Sequence, residues 1–221
     1  MHKAMNLRQD LPELSTCGRP SNTTVKMSFL RTYAYLDNDP VIQTERVILR
    51  PAIGADYAQW AQLRSSSRAF LEPWEPTWPR DDLTKSSYRQ RIRRYNKDMR
   101  DDYAYAFFVF CRQSGKLVGG LTISNVRRGV AQTCSLGYWV GLPYANQGYM
   151  SAAVNAAVSF AFDSLRLHRI EAACLPVNEA SRKLLLRCGF SQEGYARKYL
   201  KINGRWQDHL LFALLDADPP G

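Results

Sequence analysis

The chain has 221 residues, 45% of them hydrophobic, and a formal net charge of +10, a length that favours one domain with an appendage over two full domains. No run of about 18 apolar residues exists, so no membrane span is predicted, and the opening MHKAMNLRQDLPELSTCGRPSNTT lacks the apolar centre of a secretory signal. Five scattered cysteines without a C-x-x-C pair suggest reduced thiols in a cytoplasm and offer no metal site, while the positive balance points to an anionic partner: a nucleic acid, a ribosomal surface or a phosphate-rich cofactor.

Residues 1–40 hold few periodic apolar positions and end in DNDP, which predicts a mostly disordered leader. Met27 offers a second start for translation. A single domain is predicted over 41–215, with a short tail at 216–221. It begins with a strand, ERVILRPA, closed by Pro51. The next stretch, GADYAQWAQLRSSS, places Tyr57, Trp60, Ala61 and Leu63 on one helical face, with Asp56 near the cap. FLEPWEPTWPRDD is an irregular loop, because its three prolines are incompatible with a central strand. TKSSYRQRIRRYNKDMR is a helix with an apolar stripe of Tyr88, Ile92, Tyr95 and Met99. The runs YAYAFFVFC, KLVGGLTIS and AQTCSLGYWV, separated by RQSG and NVRRGV, read as an antiparallel meander. An alanine-rich helix, the strand HRIEAACL and a short helix stopped by Gly189 follow. The last two strands hinge on Asn203-Gly204, a strong hairpin signal. The predicted class is α/β, a mixed and mostly antiparallel sheet flanked by helices.

One connection carries chemistry. In GYWVGLPYANQGYMSAAVNAAVSFAF a strand ends at Val140 and a helix starts near Gly148. The first N–H groups of that helix have no intrahelical partner and, with the helix dipole, suit a pyrophosphate. Gly148 lets the backbone approach without a Cβ, and Ala152, Ala153, Ala156 and Ala157 let the helix lie close to the sheet. A plain strand–loop–helix connection explains the same residues equally well.

About 30 residues on, LPVNEASRKLLLRCGFSQEGY follows another strand. Together the two segments resemble the GNAT superfamily of acyl-CoA-dependent N-acetyltransferases, through Gly148 and through Asn178, Ser181, Leu185, Gly189, Phe190, Glu193 and Gly194. FLEPWEP and INGRWQDHLL are similar to the RimJ-type members, ribosomal-protein alanine N-acetyltransferases. The resemblance implies the GNAT fold over residues 41–215 and acetyl-CoA as co-substrate. It implies a cofactor site at Tyr138, Trp139, Val140, Ala145, Asn146, Gln147, Gly148, Tyr149, Met150, Ser151 and Asn178. The acceptor implied is the N-terminal alanine of a ribosomal protein. The family's loop usually reads Gln/Arg-x-x-Gly-x-Gly/Ala; here Ala145 and Met150 occupy its ends, and Met150 is expected to narrow the site.

The implied reaction moves an acetyl group from a thioester to a primary amine. A backbone N–H near Trp139 and Val140 would hold the thioester oxygen. Ser181 is the candidate proton donor for the leaving thiolate, and capping its helix behind Asn178 is a compatible role. An α-amine, with a reference pKa near 7.7–8.0, is about a tenth neutral at pH 7, whereas a lysine amine at about 10.4 is almost wholly charged. An N-terminal acceptor therefore needs only a modest base. Glu75 is the candidate, with Glu72 and Asp208 behind it; the only histidine beside the motifs is His209. Trp74, Trp78 and Phe70 are expected to line the acceptor groove.

Seven cations face one Asp between Lys85 and Arg100. Such a run is usually a solvated face; ribosomal RNA contact through the helix at 84–100 is its functional version. Two other functions compete with N-terminal acetylation. One is acetylation of a small amine such as a polyamine or aminoglycoside, which would want an acidic pocket. The other is a non-catalytic ribosome- or RNA-binding module on the same fold. Nothing in the sequence fixes the oligomeric state.

Overall fold

Tyr105–Cys111 (β4) is apolar at nearly every position, and its place in the fold explains why: it is a central strand covered on both sides. Phe107, Val109 and Cys111 enter one core, while Phe108 and Phe110 enter a second on the opposite face. The computed structural model describes residues 32–36 and 39–218. Among them the other strands are β1 (Thr32–Leu36), β2 (Asp39–Gln43), β3 (Val47–Arg50), β5 (Leu117–Arg127), β6 (Thr133–Val140), β7 (Arg169–Cys174), β8 (Ser191–Ile202) and β9 (Arg205–Leu215). They form one sheet ordered β1-β2-β3-β4-β5-β6-β7-β9-β8. Every neighbouring pair is antiparallel except β6 with β7, so the fold is the mixed, mostly antiparallel α/β sheet predicted.

The helices cover both faces. The smaller core gathers Trp60 and Leu63 of α1 (Tyr57–Ser66) with Tyr88. Tyr88 belongs to α3 (Lys85–Arg100) and is the only residue of its predicted stripe to be fully buried; its hydroxyl donates to the Ile53 carbonyl at 2.8 Å. Between α1 and α3, the proline-rich stretch contains one helical turn, α2 (Arg68–Leu71), and a 3₁₀ turn at Glu72–Trp74. The larger core packs under α4 (Tyr149–Ser159) and α5 (Glu179–Arg187). Ala153, Ala156 and Ala157 of α4 are at most 1% exposed, which is the close approach to the sheet that their small side chains predict.

Three boundaries differ from expectation. The sheet begins at β1, inside the predicted leader, because β1 and β2 pair along five positions from Thr32↔Gln43 to Leu36↔Asp39; residues 1–31 of that leader lie outside the described residues. β5 runs three residues past Ser124, since a register shift after that residue lets Arg127 regain Thr133. A π-helical turn, Phe160–Ser164, extends α4. At the other end Asn203 and Gly204 take φ of +42° and +78° between Ile202 and Arg205, as a two-residue hairpin requires.

Candidate active site

β6 and β7 pair only at Thr133↔Arg169, Cys134↔Ile170, Ser135↔Glu171 and Leu136↔Ala172. Beyond Leu136 the strands part. β6 stays bonded to β5 as far as Val140↔Gly119, so its other edge, from Gly137 to Val140, turns unpaired main-chain groups into the gap. The gap is a cavity of about 590 Å³ lined by Leu136–Val140 on one side and Ala172–Leu175 on the other. β6 approaches β5 closely here: a Cβ on Gly119 would stand 2.3 Å from the Trp139 carbonyl oxygen, and one on Gly120 2.5 Å from the Trp139 indole nitrogen.

The floor of the cavity is the start of α4. Gly148 is its N-cap at φ +78° and no side chain caps the helix, so the first amides are available to a ligand. Gly148, Met150 and Ser151 line the cavity together with Ala145 and Asn146. The loop is stapled from outside: Arg46 Nη2 donates to the Gln147 carbonyl at 2.7 Å, and its guanidinium lies 5.4 Å from the Tyr149 ring centroid. Gln147 Nε2 donates to the Pro143 carbonyl at 2.7 Å. Gln147 and Tyr149 are thus the two expected cofactor residues that do not line the cavity. Met150 does not lie across the loop; it is 5% exposed and packs in the larger core, with its Cε 3.1 Å from where a Cβ on Gly119 would stand.

Across the gap, Tyr138 on β6 and Ser181 on α5 join hydroxyls at 2.8 Å. Asn178 Oδ1 accepts from the Ser181 N–H at 3.1 Å and so caps α5, fixing the position of the Ser181 side chain. Burial pushes the Tyr138 phenol well above its ordinary range, and the Ser181 hydrogen bond works in the opposite direction. Both residues and Asn178 line the cavity.

Phe70, Trp74 and Glu75 also line the cavity. Glu75 is already engaged: Arg64 Nη1 and Nη2 each donate to its carboxylate at 2.7 Å, and Trp78 Nε1 donates at the same distance. The Arg64 guanidinium lies 4.0 Å from the Trp78 ring and 4.9 Å from that of Trp139. Protonating Glu75 would leave a buried cation without its counter-charge. Of the candidates behind it, Glu72 pairs with Arg68 at 2.6 Å, and Asp208 accepts from the Tyr195 hydroxyl and from the Lys198 N–H.

Sequence reasoning missed Lys183 and Arg187, which also line the cavity; their four-residue spacing on α5, counted from the Asn178 cap, was the available signal. It also missed Leu200 and Ile202, whose alternation along β8 puts both on the cavity side. Arg46 carried no local signal, because it reaches the loop from 101 residues away.

Comparison with known proteins agrees with this geometry. Residues 46–191 match the family described as acetyltransferase (GNAT) domain. The [ribosomal protein uS5]-alanine N-acetyltransferase of Escherichia coli is 34% identical over 188 residues, which span 84% of this chain and 97% of that one. The solved structure of Mycobacterium smegmatis RimJ in complex with CoA-disulfide is 34% identical, with a TM-score of 0.73 over 77% of this chain and 82% of that one. The ribosomal-protein-S5-alanine acetyltransferase of Vibrio fischeri gives 32% and 0.74, over 81% and 99%. With a parted β6–β7 seam, an uncapped helix start beneath it and a sequence match across most of the domain, the chain belongs to the GNAT acetyltransferases.

Proposed function

We propose that this protein transfers the acetyl group of acetyl-CoA to the N-terminal alanine α-amine of a ribosomal protein in the cytoplasm. The observation that carries the reading is the cavity itself, which gathers the uncapped start of α4, the Tyr138–Ser181 hydroxyl pair and an apolar wall beside Glu75. Bound acetyl-CoA would supply the activated thioester. The amides of Gly148, Tyr149 and Met150 would hold its diphosphate, with Lys183 and Arg187 adding positive charge from α5. Unpaired β6 main-chain groups near Trp139 and Val140 would polarise the thioester carbonyl. Ser181, positioned by Asn178 and Tyr138, would protonate the departing sulfur.

The acceptor end separates peptide from polyamine. Phe70, Leu71, Trp74, Leu200 and Ile202 give it an apolar wall, and its one acid, Glu75, is neutralised by Arg64. A polycation finds no free carboxylate there, whereas a small uncharged N-terminal side chain finds an apolar wall. Turnover of acetyl-CoA with an Ala-starting peptide and not with spermidine is the expected result; the reverse preference would overturn the peptide assignment.

Ser181→Ala is expected to lower kcat by about 10²-fold, within the usual range for a lost general acid, with little change in the Kd for acetyl-CoA by calorimetry. Retained kcat would pass the role to Tyr138.

Exposed cations of α3 form the proposed ribosomal contact. Lys85, Arg89 and Arg93 recur every four residues on one exposed stripe, whereas Arg91 is held by Asp82 and lies over Trp60. Reversing Arg89 and Arg93 to Glu is expected to weaken association with ribosomal particles and flatten its salt dependence, leaving acetylation of free peptide within about twofold. Unchanged association would remove α3 from that role.

A further inference from the structure

The acceptor amine enters as an ammonium, and some group must take its proton before it can attack. Glu75 is spent on Arg64 and Trp78. Burial raises the Tyr138 phenol and the Cys174 thiol, and both meet Ser181. Lys183 and Arg187 bring positive charge. Tyr144 adds a second phenol to the lining, and the remaining ionisable side chain there is His209 of β9, which is 3% exposed.

Its tautomer follows from its neighbours. His209 Nδ1 lies 3.0 Å from the Gln207 carbonyl oxygen. A carbonyl only accepts, so Nδ1 carries the hydrogen and the lone pair resides on Nε2. The ring is held at its edge by Tyr199 of β8, with centroids 5.7 Å apart at 66°. Neighbouring Asp208 is occupied with Tyr195 and Lys198. A buried imidazole, oriented through Nδ1 and lining the same cavity as Ser181, is the arrangement that accepting a proton needs.

We infer that His209 is the general base of this acetyl transfer, acting through Nε2 directly or across one water; the inference rests on the transferase reading above. One proton of the acceptor ammonium passes to Nε2 and on to solvent. The freed lone pair forms the C–N bond as the C–S bond breaks. The second proton, released by the new amide, balances the one that Ser181 delivers to sulfur. Products are acetylated amine, thiol and one proton.

The test is His209→Asn, whose side-chain amide can keep the hydrogen bond to the Gln207 carbonyl while removing the Nε2 lone pair. Calorimetry should give an unchanged Kd for acetyl-CoA. With an Ala-starting peptide, kcat/KM should fall about 10²-fold or more, and the acid limb of its pH profile should move toward the ionisation of the peptide amine. The other charged groups around the ring or cavity are Glu75 with Arg64, Lys183 and Arg187, and Asp208 beyond the strand. Asp208→Asn, outside the proposed machinery, should leave that limb in place. Wild-type rate and profile in His209→Asn would overturn the inference. If the variant does not fold, wild-type enzyme decides: a weakly basic acceptor amine, already neutral at pH 6, should abolish the acid limb, and its persistence there would point away from a base. Failure of the wild-type enzyme to acetylate any amine would instead overturn the transferase reading.

Discussion

Glu75→Leu is expected to destabilise the fold by about 3–5 kcal/mol, the range for stranding one member of a buried ion pair. Arg64 is 6% exposed, and its guanidinium is flanked by Trp78 and Trp139. It reaches no other acid among the described residues. For a domain of this size the melting temperature should fall on the order of 10 °C. The double variant Arg64→Met, Glu75→Leu should regain most of that loss, because an apolar pair of similar volume need not be desolvated as ions. Thermal unfolding of the two variants checks the point; equal losses in single and double would show the pair to be effectively solvated. The effect should extend to the site, since the Glu75 carbonyl accepts from the Asn203 N–H at 2.9 Å and ties this loop to the β8–β9 hairpin.

Gly148→Val is expected to raise KM for acetyl-CoA about tenfold or more while moving kcat far less. At φ +78° an L residue costs about 1–2 kcal/mol, and a branched side chain is worse placed than alanine. A Cβ there would also stand 2.9 Å from Arg46 Nη1, so the guanidinium that holds the Gln147 carbonyl must shift or the turn must move. Either response shifts the amides that face the diphosphate, and each 1.4 kcal/mol lost there is a factor of ten. Initial rates against acetyl-CoA concentration give the answer. An unaltered KM would mean that the helix start does not hold the cofactor.

Much of this architecture was legible from local chemistry. The central strand shows itself in YAFFVFC, the hairpin in Asn203-Gly204 and the helix stop in Gly189 at φ +88°. The uncapped start of α4 at Gly148 was legible for the same reason, being a local property. What stayed hidden depends on distant partners. Nothing within FLEPWEP signals that Glu75 meets Arg64, and nothing near Gln147 signals Arg46. His209 looks like any strand histidine until the cavity and the Gln207 carbonyl set its protonated nitrogen. The early strand β1 was missed because its pairing with β2 spans the segment read as a leader.

Only four registered positions tie β1–β6 to the block formed by β7, α5, β8 and β9 along the sheet. Whatever fills the space beyond them acts as a clasp across a half-open seam, gripped by α4 on one side and α5 on the other. Occupancy should therefore add to the coherence that the shared core already gives the two blocks. Amide hydrogens of the C-terminal block should exchange more slowly in the loaded protein, and thermal cooperativity should sharpen with it.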